Sequence, residues 1–174
     1  MSESKSIPLL AMRRSTSEIC VRQLDRGDLA AVEQHLLNLA STDRHSRFLG
    51  EVCDAAIVNY AYGLDLSEVV LMGAFDSGGR LVGISEAHRT TAPDIVEVSV
   101  SVDSAYRRQG LGRFLVARLL DQVFASGTAA AEFLYDPANM ALSRLVRGLG
   151  ARCGGEPGLA RISRSAQIVM RAAA

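Results

Sequence analysis

The chain has 174 residues, 48% of them hydrophobic, with 19 basic and 19 acidic residues and a net charge of zero. This profile predicts a globular protein with a substantial core, and it gives no reason to expect a nucleic-acid partner because positive charge is not in excess. The three cysteines, Cys20, Cys53 and Cys153, are widely spaced and odd in number, so neither a disulfide framework nor a metal site is expected and a reducing cytoplasm fits.

The N-terminal segment has the composition of a tail rather than of a folded element. Residues 1–17 are rich in serine and mixed in charge, so we expect a flexible tail there and a single domain over 18–174. The apolar run at 7–12 is too short for the core of a signal peptide. No stretch approaches the ~18 apolar residues of a membrane span, so no membrane partner is expected.

Hydrophobic periodicity, caps and turn residues predict alternating strands and helices along the rest of the chain. In chain order we expect a strand at 19–24, a helix at 25–39, a second helix from Thr42 or Asp43 to about Gly63, strands at 69–75, 81–90 and 94–102, a helix at 110–126, a strand at 129–135, a helix at 139–149 and terminal strands at 151–156 and 166–171. Asp76-Ser-Gly-Gly, between the second and third strands, is a strong signal for a β-hairpin.

The most informative segment is 98–113, where an alternating strand runs into a basic turn that opens an amphipathic helix. Gly110 and Gly112 allow the backbone to approach an anion closely, and the unpaired N–H groups and dipole of the helix start favour negative charge. Three arginines with permanent charge surround these glycines: Arg107, Arg108 and Arg113. The segment predicts a site for a phosphorylated ligand.

Two familiar phosphate motifs do not fit this segment. A Walker loop needs a lysine after its second glycine, and the only lysine in the chain is Lys5. A dinucleotide fingerprint needs a third glycine where Leu115 stands. The remaining pattern, Arg-x-x-Gly-x-Gly at 107–112 after Val-x-Val, resembles the coenzyme A pyrophosphate loop of the GCN5-related N-acetyltransferases. An ordinary helix cap is the competing interpretation.

The order of the predicted elements resembles the same family over about 18–171. That resemblance implies an α/β (α+β) fold with a central mixed, mostly antiparallel sheet, flanking helices, and strands that splay apart at the cofactor site. The segment 139–150 is similar to a second family segment, in which an Asn opens a helix that ends at a glycine. This chain departs from it by having Val146 where a tyrosine often acts as the general acid, and Ala151 where an aromatic residue often stands.

The resemblance also implies the cofactor, acetyl-CoA, and the residues that bind it. Backbone N–H groups near Val100–Val102 would polarise the thioester carbonyl, the turn would hold the pyrophosphate, and Asn139 would bond the pantetheine arm. The implied cofactor-binding residues are Val100, Ser101, Val102, Arg107, Arg108, Gln109, Gly110, Leu111, Gly112, Arg113 and Asn139. For Asn139 a simple helix cap is the competing role.

Alternation along the strand before the turn separates a core face from a polar face. Val96 and Val98 fall on one side, whereas Glu97, with Ser99, Ser101 and Asp103, falls on the other. An amine must lose a proton before it attacks a thioester, so a base is needed. Glu97 is the candidate, since it matches the position of the catalytic glutamate in many family members, and a solvated strand carboxylate is the alternative.

Three further residues are weaker candidates for the chemistry. His88 lies on the neighbouring strand, where it could face Glu97, and Glu132 lies on the following strand. Ser143, one turn after Asn139, could donate a proton to the departing thiolate in place of the missing tyrosine. No dedicated acid is required, however, because thiol pKa values lie near ~8.5 and the thiolate is a tolerable leaving group.

The predicted function is transfer of an acetyl group from acetyl-CoA to a primary amine. Protein lysine is slightly favoured over small amines, because Leu39, Arg44, Arg47 and Phe48 and the sequence Val96-Glu97-Val98 resemble bacterial protein-lysine acetyltransferase domains. A homodimer is compatible with the sequence. The alternative is a non-catalytic acyl-CoA sensor or interaction module that kept the loop and lost the chemistry.

Overall fold

The computed structural model describes residues 18–153 and 155–166. Its helices and strands, in chain order, are β1 (Cys20–Gln23), α1 (Leu29–Leu37), α2 (Ser41–Phe48), α3 (Asp54–Tyr62), β2 (Val69–Phe75), β3 (Leu81–Arg89), β4 (Ile95–Val102), α4 (Leu111–Ala125), β5 (Ala130–Leu134), α5 (Met140–Gly148), β6 (Arg152–Cys153) and β7 (Leu159–Ser163). No helix in these two ranges is long and apolar enough to cross a membrane.

The described strands form one sheet in the order β1-β2-β3-β4-β5-β7-β6. Neighbouring strands are antiparallel except β4 and β5, which are parallel. That parallel ladder covers only Ile95–Glu97 against Ala130–Glu132, although β4 continues to Val102 and β5 to Leu134. The two strands therefore diverge beyond the ladder, and the predicted mixed, mostly antiparallel sheet with a splayed pair is confirmed.

Each face of the sheet carries its own hydrophobic cluster. Leu115 and Leu119 of α4 pack with Val98 on one face, and Leu36 of α1 and Ile57 of α3 pack with Ile84 on the other. Burying such a side chain contributes about 1.5–3 kcal/mol. Strand β4 is therefore held with one face against α4 and its polar face toward the helices that lie between β1 and β2 in the chain.

The prediction of one helix from Thr42 or Asp43 to Gly63 is wrong, because the chain forms two helices there. Leu49 adopts a left-handed conformation, with φ of 54°, and its N–H bonds back to the carbonyl of His45. Gly50 N–H reaches the same carbonyl at 3.2 Å, which ends α2. Apolar spacing continued through this break, so periodicity alone did not reveal it.

The C-terminal strand predictions also need correction. Strand β6 is limited to Arg152–Cys153, and the next strand is Leu159–Ser163, where none was predicted. Ala166 lies outside that strand, and 167–171 lie outside the described residues. The signal was a Pro157-Gly158 turn, with Gly158 at φ of 83°, followed by alternating burial of Ala160 and Ile162.

Candidate active site

The turn between β4 and α4 has the backbone of an anion site. Arg108 and Gly110 have positive φ angles of 59° and 83°, and Gly110 caps α4 without any side-chain hydrogen bond. The first N–H groups of a helix have no partner within the helix. Positive-φ turns and helix starts both present such groups to an anion. Phosphate binding at this turn stays a prediction.

Gly112 lies where three elements approach one another closely. A Cβ atom at this position would lie 3.3 Å from Cδ1 of Leu145 and 3.6 Å from Cγ2 of Val102. Leu145 belongs to α5 and Val102 to the end of β4. The second glycine thus allows α4 to begin directly against the splayed end of β4.

Helix α2 bonds to two of the predicted cofactor-binding residues. Arg107 donates from Nε to the carbonyl of Val102 at 2.8 Å, and its Nη2 lies 2.8 Å from Oδ2 of Asp43. Asn139 caps α5 by accepting from the N–H of Leu142 at 3.0 Å. Its Nδ2 donates to Oγ of Ser46 at 2.6 Å. Because Asp43 and Ser46 both belong to α2, a ligand on Arg107 and Asn139 must compete with this helix.

Replacing Asp43 by Asn is expected to tighten acetyl-CoA binding. The change removes the carboxylate that competes for Arg107, and an exposed ion pair of this kind is worth about 0–1 kcal/mol, so the gain should be about 2- to 5-fold and larger at low salt. Titration calorimetry measures it. Asp54→Asn is the control, because Asp54 pairs with Arg44 instead; unchanged or weaker binding by Asp43→Asn would contradict the competition.

The polar face of β4 lies partly beneath α1. Nε2 of His35, a residue only 2% exposed, lies 2.9 Å from Oγ of Ser101. Its Nδ1 lies 3.1 Å from Oδ1 of Asp103 but not in hydrogen-bond alignment. Burial opposes ionisation of Asp103, yet His35 and the charge of Arg80 outweigh it and lower its pKa. The Ser101 side chain is thus occupied by α1, and its backbone pairs with Ile84 of β3.

A buried polar cluster, which sequence reasoning missed, lies on the same face of the sheet. We call Arg47, Tyr60, Glu86 and His88 the Glu86 cluster. Glu86 is 0% exposed, and its Oε1 lies 2.7 Å from Nη2 of Arg47. Its Oε2 accepts from the Tyr60 hydroxyl at 2.5 Å and lies 3.0 Å from Nε2 of His88. A glutamate in an otherwise apolar stretch of β3 was the available signal.

The charges of the Glu86 cluster are fixed by its own members. Burial alone would raise the pKa of Glu86, but the attraction of Arg47 and hydrogen bonds from His88 and Tyr60 outweigh it and lower the pKa to about 2. The charge of Glu86 likewise outweighs burial at Arg47 and raises its pKa. Burial, followed by the charge of Glu86, raises the pKa of Tyr60. At neutral pH the pair is therefore ionised and the phenol protonated.

Glu97 lies beside this cluster. The register pairs His88 with Glu97 and Glu86 with Ser99, so His88 does face Glu97 as predicted. Glu97 is exposed, and across the parallel ladder it pairs with Glu132. The site thus places an exposed carboxylate and a half-buried imidazole next to each other on one sheet face.

Ser143 and Val146 occupy a different part of α5. Ser143 is 5% exposed and lies in the wall of a cavity of about 350 Å³ shared with Tyr135 and Gly158. Val146 is 0% exposed and packs in the core beside α4. Leu145, rather than Ser143, approaches the turn at Gly112. The role of Ser143 as a proton donor stays a prediction.

Restoring a tyrosine with Val146→Tyr is expected to destabilise the protein. The position is fully buried, and overpacking of this kind costs about 1–3 kcal/mol. Urea unfolding measures the loss. Arg144→Tyr, at an exposed position of the same helix, is the matched control and should change stability by less than about 0.5 kcal/mol. A stable Val146→Tyr variant with raised kcat would show that the pocket accepts the ring.

The diverging pair of β4 and β5 thus has a turn with positive φ angles at its open end. The model of the acetyltransferase (GNAT) family matches residues 35–151. The chain belongs to this family, and the predicted resemblance is confirmed. No curated protein matches its sequence significantly.

Several solved structures share the fold. The GNAT domain of S. lividans PAT has 17% identity and a TM-score of 0.68, covering 82% of this chain and 88% of that one. The yncA protein of Salmonella typhimurium, solved with its cofactor acetyl-CoA, has 21% identity and a TM-score of 0.63, covering 84% and 94%. Spermidine N-acetyltransferase of Vibrio cholerae, in complex with CoA and spermine, has 16% identity and a TM-score of 0.66, covering 86% and 98%.

Proposed function

We propose that this chain is an N-acetyltransferase that moves an acetyl group from acetyl-CoA to a primary amine. The observation that supports this proposal most is that three features of the predicted site occur together on β4. The strand separates from β5 after Glu97, carries that exposed carboxylate on its polar face, and ends at the positive-φ turn. Acetyl-CoA bound between the diverging ends of β4 and β5 would then have its phosphates at the turn and its thioester carbonyl near Glu97.

The cofactor acetyl-CoA is supported by the family and by the turn. We assign its pyrophosphate to the backbone from Arg107 to Arg113, and Arg108 and Gln109 are exposed there. Arg107 and Asn139 would exchange their contacts with α2 for contacts with the ligand. The yncA structure of the same fold contains acetyl-CoA.

The proposed reaction is direct attack by the amine. A free alkylammonium has a pKa of about 10, so Glu97 takes a proton and the neutral nitrogen forms a C–N bond with the acetyl carbon. Backbone N–H groups of Val100–Val102 would stabilise the developing oxyanion. The C–S bond breaks, the nitrogen loses its second proton to solvent, and the thiolate takes a proton from solvent or from Ser143, which solvent then reprotonates.

The acceptor is a primary amine, and two sources compete. Protein lysine is favoured by the resemblance at Arg44, Arg47 and Phe48 and at Glu97. Small amines are the alternative, and the spermidine enzyme of the same fold is named for one. A cytoplasmic location, a homodimer and a single domain over 18–174 also stay proposals.

A non-catalytic acyl-CoA sensor is the second candidate function, and one observation favours it. Val146 is fully buried in the core where the family often has its proton donor, so the usual acid is missing. Both candidates predict acetyl-CoA binding by calorimetry. They differ in thiol release across a panel of lysine peptides, amino acids and polyamines: release that depends on an amine supports the enzyme, and binding without release with any member supports the sensor.

A further inference from the structure

The hydrogen bonds of the Glu86 cluster determine which nitrogen of His88 carries a proton. Tyr60 has a single hydroxyl proton, and it is donated to Oε2 of Glu86 at 2.5 Å. Nε2 of His88 lies 3.0 Å from the same Oε2 and 3.2 Å from the Tyr60 oxygen. An ionised carboxylate only accepts hydrogen bonds, so Nε2 must be the donor. In the neutral ring the lone pair then belongs to Nδ1.

His88 also lies next to Glu97, the proposed base. Glu86 is fully buried, whereas the His88 side chain is 31% exposed. The ring therefore has one edge held inside the protein while the residue still reaches the surface. His88 stands directly opposite Glu97 in the register, which places their Cβ atoms about 4.5–5.5 Å apart.

We propose that Glu86 is a positioning residue for His88, and that Nδ1 of His88 receives from Glu97 the proton removed from the amine. This inference rests on the proposed acetyl transfer. The ammonium N–H bond breaks as an O–H bond forms on Glu97. That O–H bond breaks as Nδ1–H forms on His88, and the imidazolium releases the same proton to water. Glu97 is then restored for the next turnover.

The carboxylate of Glu86 lies against Nε2 of His88, and its other oxygen contacts Arg47. When the ring is protonated, Glu86 remains bonded to its Nε2–H and stabilises the imidazolium. Among the described residues, the titratable groups that contact or face His88 are Tyr60 from α3, Glu86 from β3 and Glu97 from β4. Arg47 from α2 contacts Tyr60 and Glu86.

The Glu86 cluster contains hydrogen bonds beyond the ion pair of Arg47 and Glu86. Arg47 and Glu86 alone would tie α2 to the sheet, because their contact joins the two elements. The second carboxylate oxygen is nevertheless directed at both Tyr60 and His88, and Tyr60 in turn accepts from Arg47 at 2.9 Å. The Tyr60 proton and the Nε2 proton of His88 are both directed at Oε2 of Glu86, so Nδ1 is the acceptor that the ring leaves available.

The first test is nitrogen NMR of the histidine rings in the intact protein. The chain has three histidines, so the signals of His88 can be assigned by their loss in His88→Gln. A neutral ring with its proton on Nε2 is the expected result. A proton on Nδ1 would overturn the inference. This result needs no activity, so it separates failure of the positioning role from failure of the proposed acetyl transfer.

The second test is the pH dependence of kcat with the amine that gives the greatest thiol release. His88→Gln keeps an amide donor for Glu86 but cannot accept a second proton, so kcat should fall ~10-fold or more with the KM for acetyl-CoA unchanged. The part of the dependence of kcat on pH that requires His88 should also be absent from the variant. His45→Gln is the matched control, since His45 is exposed on α2. Identical kcat and profiles in both variants would overturn the relay.

The positioning role of Glu86 is tested by Glu86→Gln. The pH at which kcat changes because of His88 should move, and the nitrogen NMR signals of the His88 ring should shift. A purely structural role of Glu86 predicts neither change. If the unpaired Arg47 prevents folding, Arg47→Met with Glu86→Gln removes that buried charge and the same two measurements apply. An unchanged pH dependence of kcat in a folded variant would contradict the positioning role of Glu86.

Discussion

Replacing Glu97 by Gln is expected to lower kcat by ~10²-fold or more, in line with the usual contribution of a general base. The amide has the shape of the carboxylate but cannot accept the ammonium proton. Glu97 is exposed and is not among the residues proposed to hold the cofactor, so acetyl-CoA affinity and stability should be unchanged. Thiol release at saturating acetyl-CoA, together with calorimetry on the same preparation, measures both.

Glu132→Gln is the matched control for that experiment. Glu132 is the partner of Glu97 in the parallel ladder, and its carboxylate lies 3.6 Å from Arg161. The same change of charge is thus made one strand away, and kcat should stay within a few-fold of the wild type. Equal kcat in the wild type and Glu97→Gln at every pH would remove Glu97 from the mechanism. A larger loss in Glu132→Gln would transfer the role of base to Glu132.

Replacing Gly110 by Asp is expected to weaken acetyl-CoA binding by ~10²-fold or more. The aspartate would place a negative charge at the start of α4, where the pyrophosphate is proposed to lie, and two unit charges 4 Å apart repel by about 1–4 kcal/mol near a protein surface. Gly110 also has φ of 83°, a conformation that side chains other than Asn and Asp rarely adopt. Titration calorimetry with acetyl-CoA measures the loss.

Gly110→Asn separates the charge from the backbone effect. Asparagine has nearly the same shape and tolerates the left-handed conformation equally well, but it is neutral. It should therefore bind acetyl-CoA at least ~10-fold more tightly than the aspartate variant. Circular dichroism checks that both variants fold. Equal affinities for the two variants and the wild type would mean that no anion lies at this turn.

Features that depend on neighbouring residues along the chain were predictable from sequence. The hairpin around Asp76 and the strand at 69–75 were confirmed at their predicted positions. Strand β4 shows the predicted division, with Val96 and Val98 in the core and Glu97 on the polar face. The positive φ of Gly110 agrees with the need for a glycine there.

Features that depend on contacts between distant segments were not predictable. The pair of Arg47 and Glu86 joins residues far apart in sequence. The apolar stretch of β3 around Glu86 was a local signal of burial, but no local pattern identifies Arg47 as its partner. The end of α2 at Leu49 depends on a left-handed residue that carries a side chain. The contact of Asp43 with Arg107 joins α2 to the turn, and it required the three-dimensional fold to be seen.

Transfer of the acetyl group to an amine can be followed with radiolabelled acetyl-CoA. With the amine that gives the greatest thiol release, we expect label on the acceptor nitrogen in proportion to free thiol, and we expect Glu97→Gln to bind acetyl-CoA but to transfer little label. Label that stays in acetyl-CoA, or that is released only as acetate, would contradict acetyl transfer by this protein.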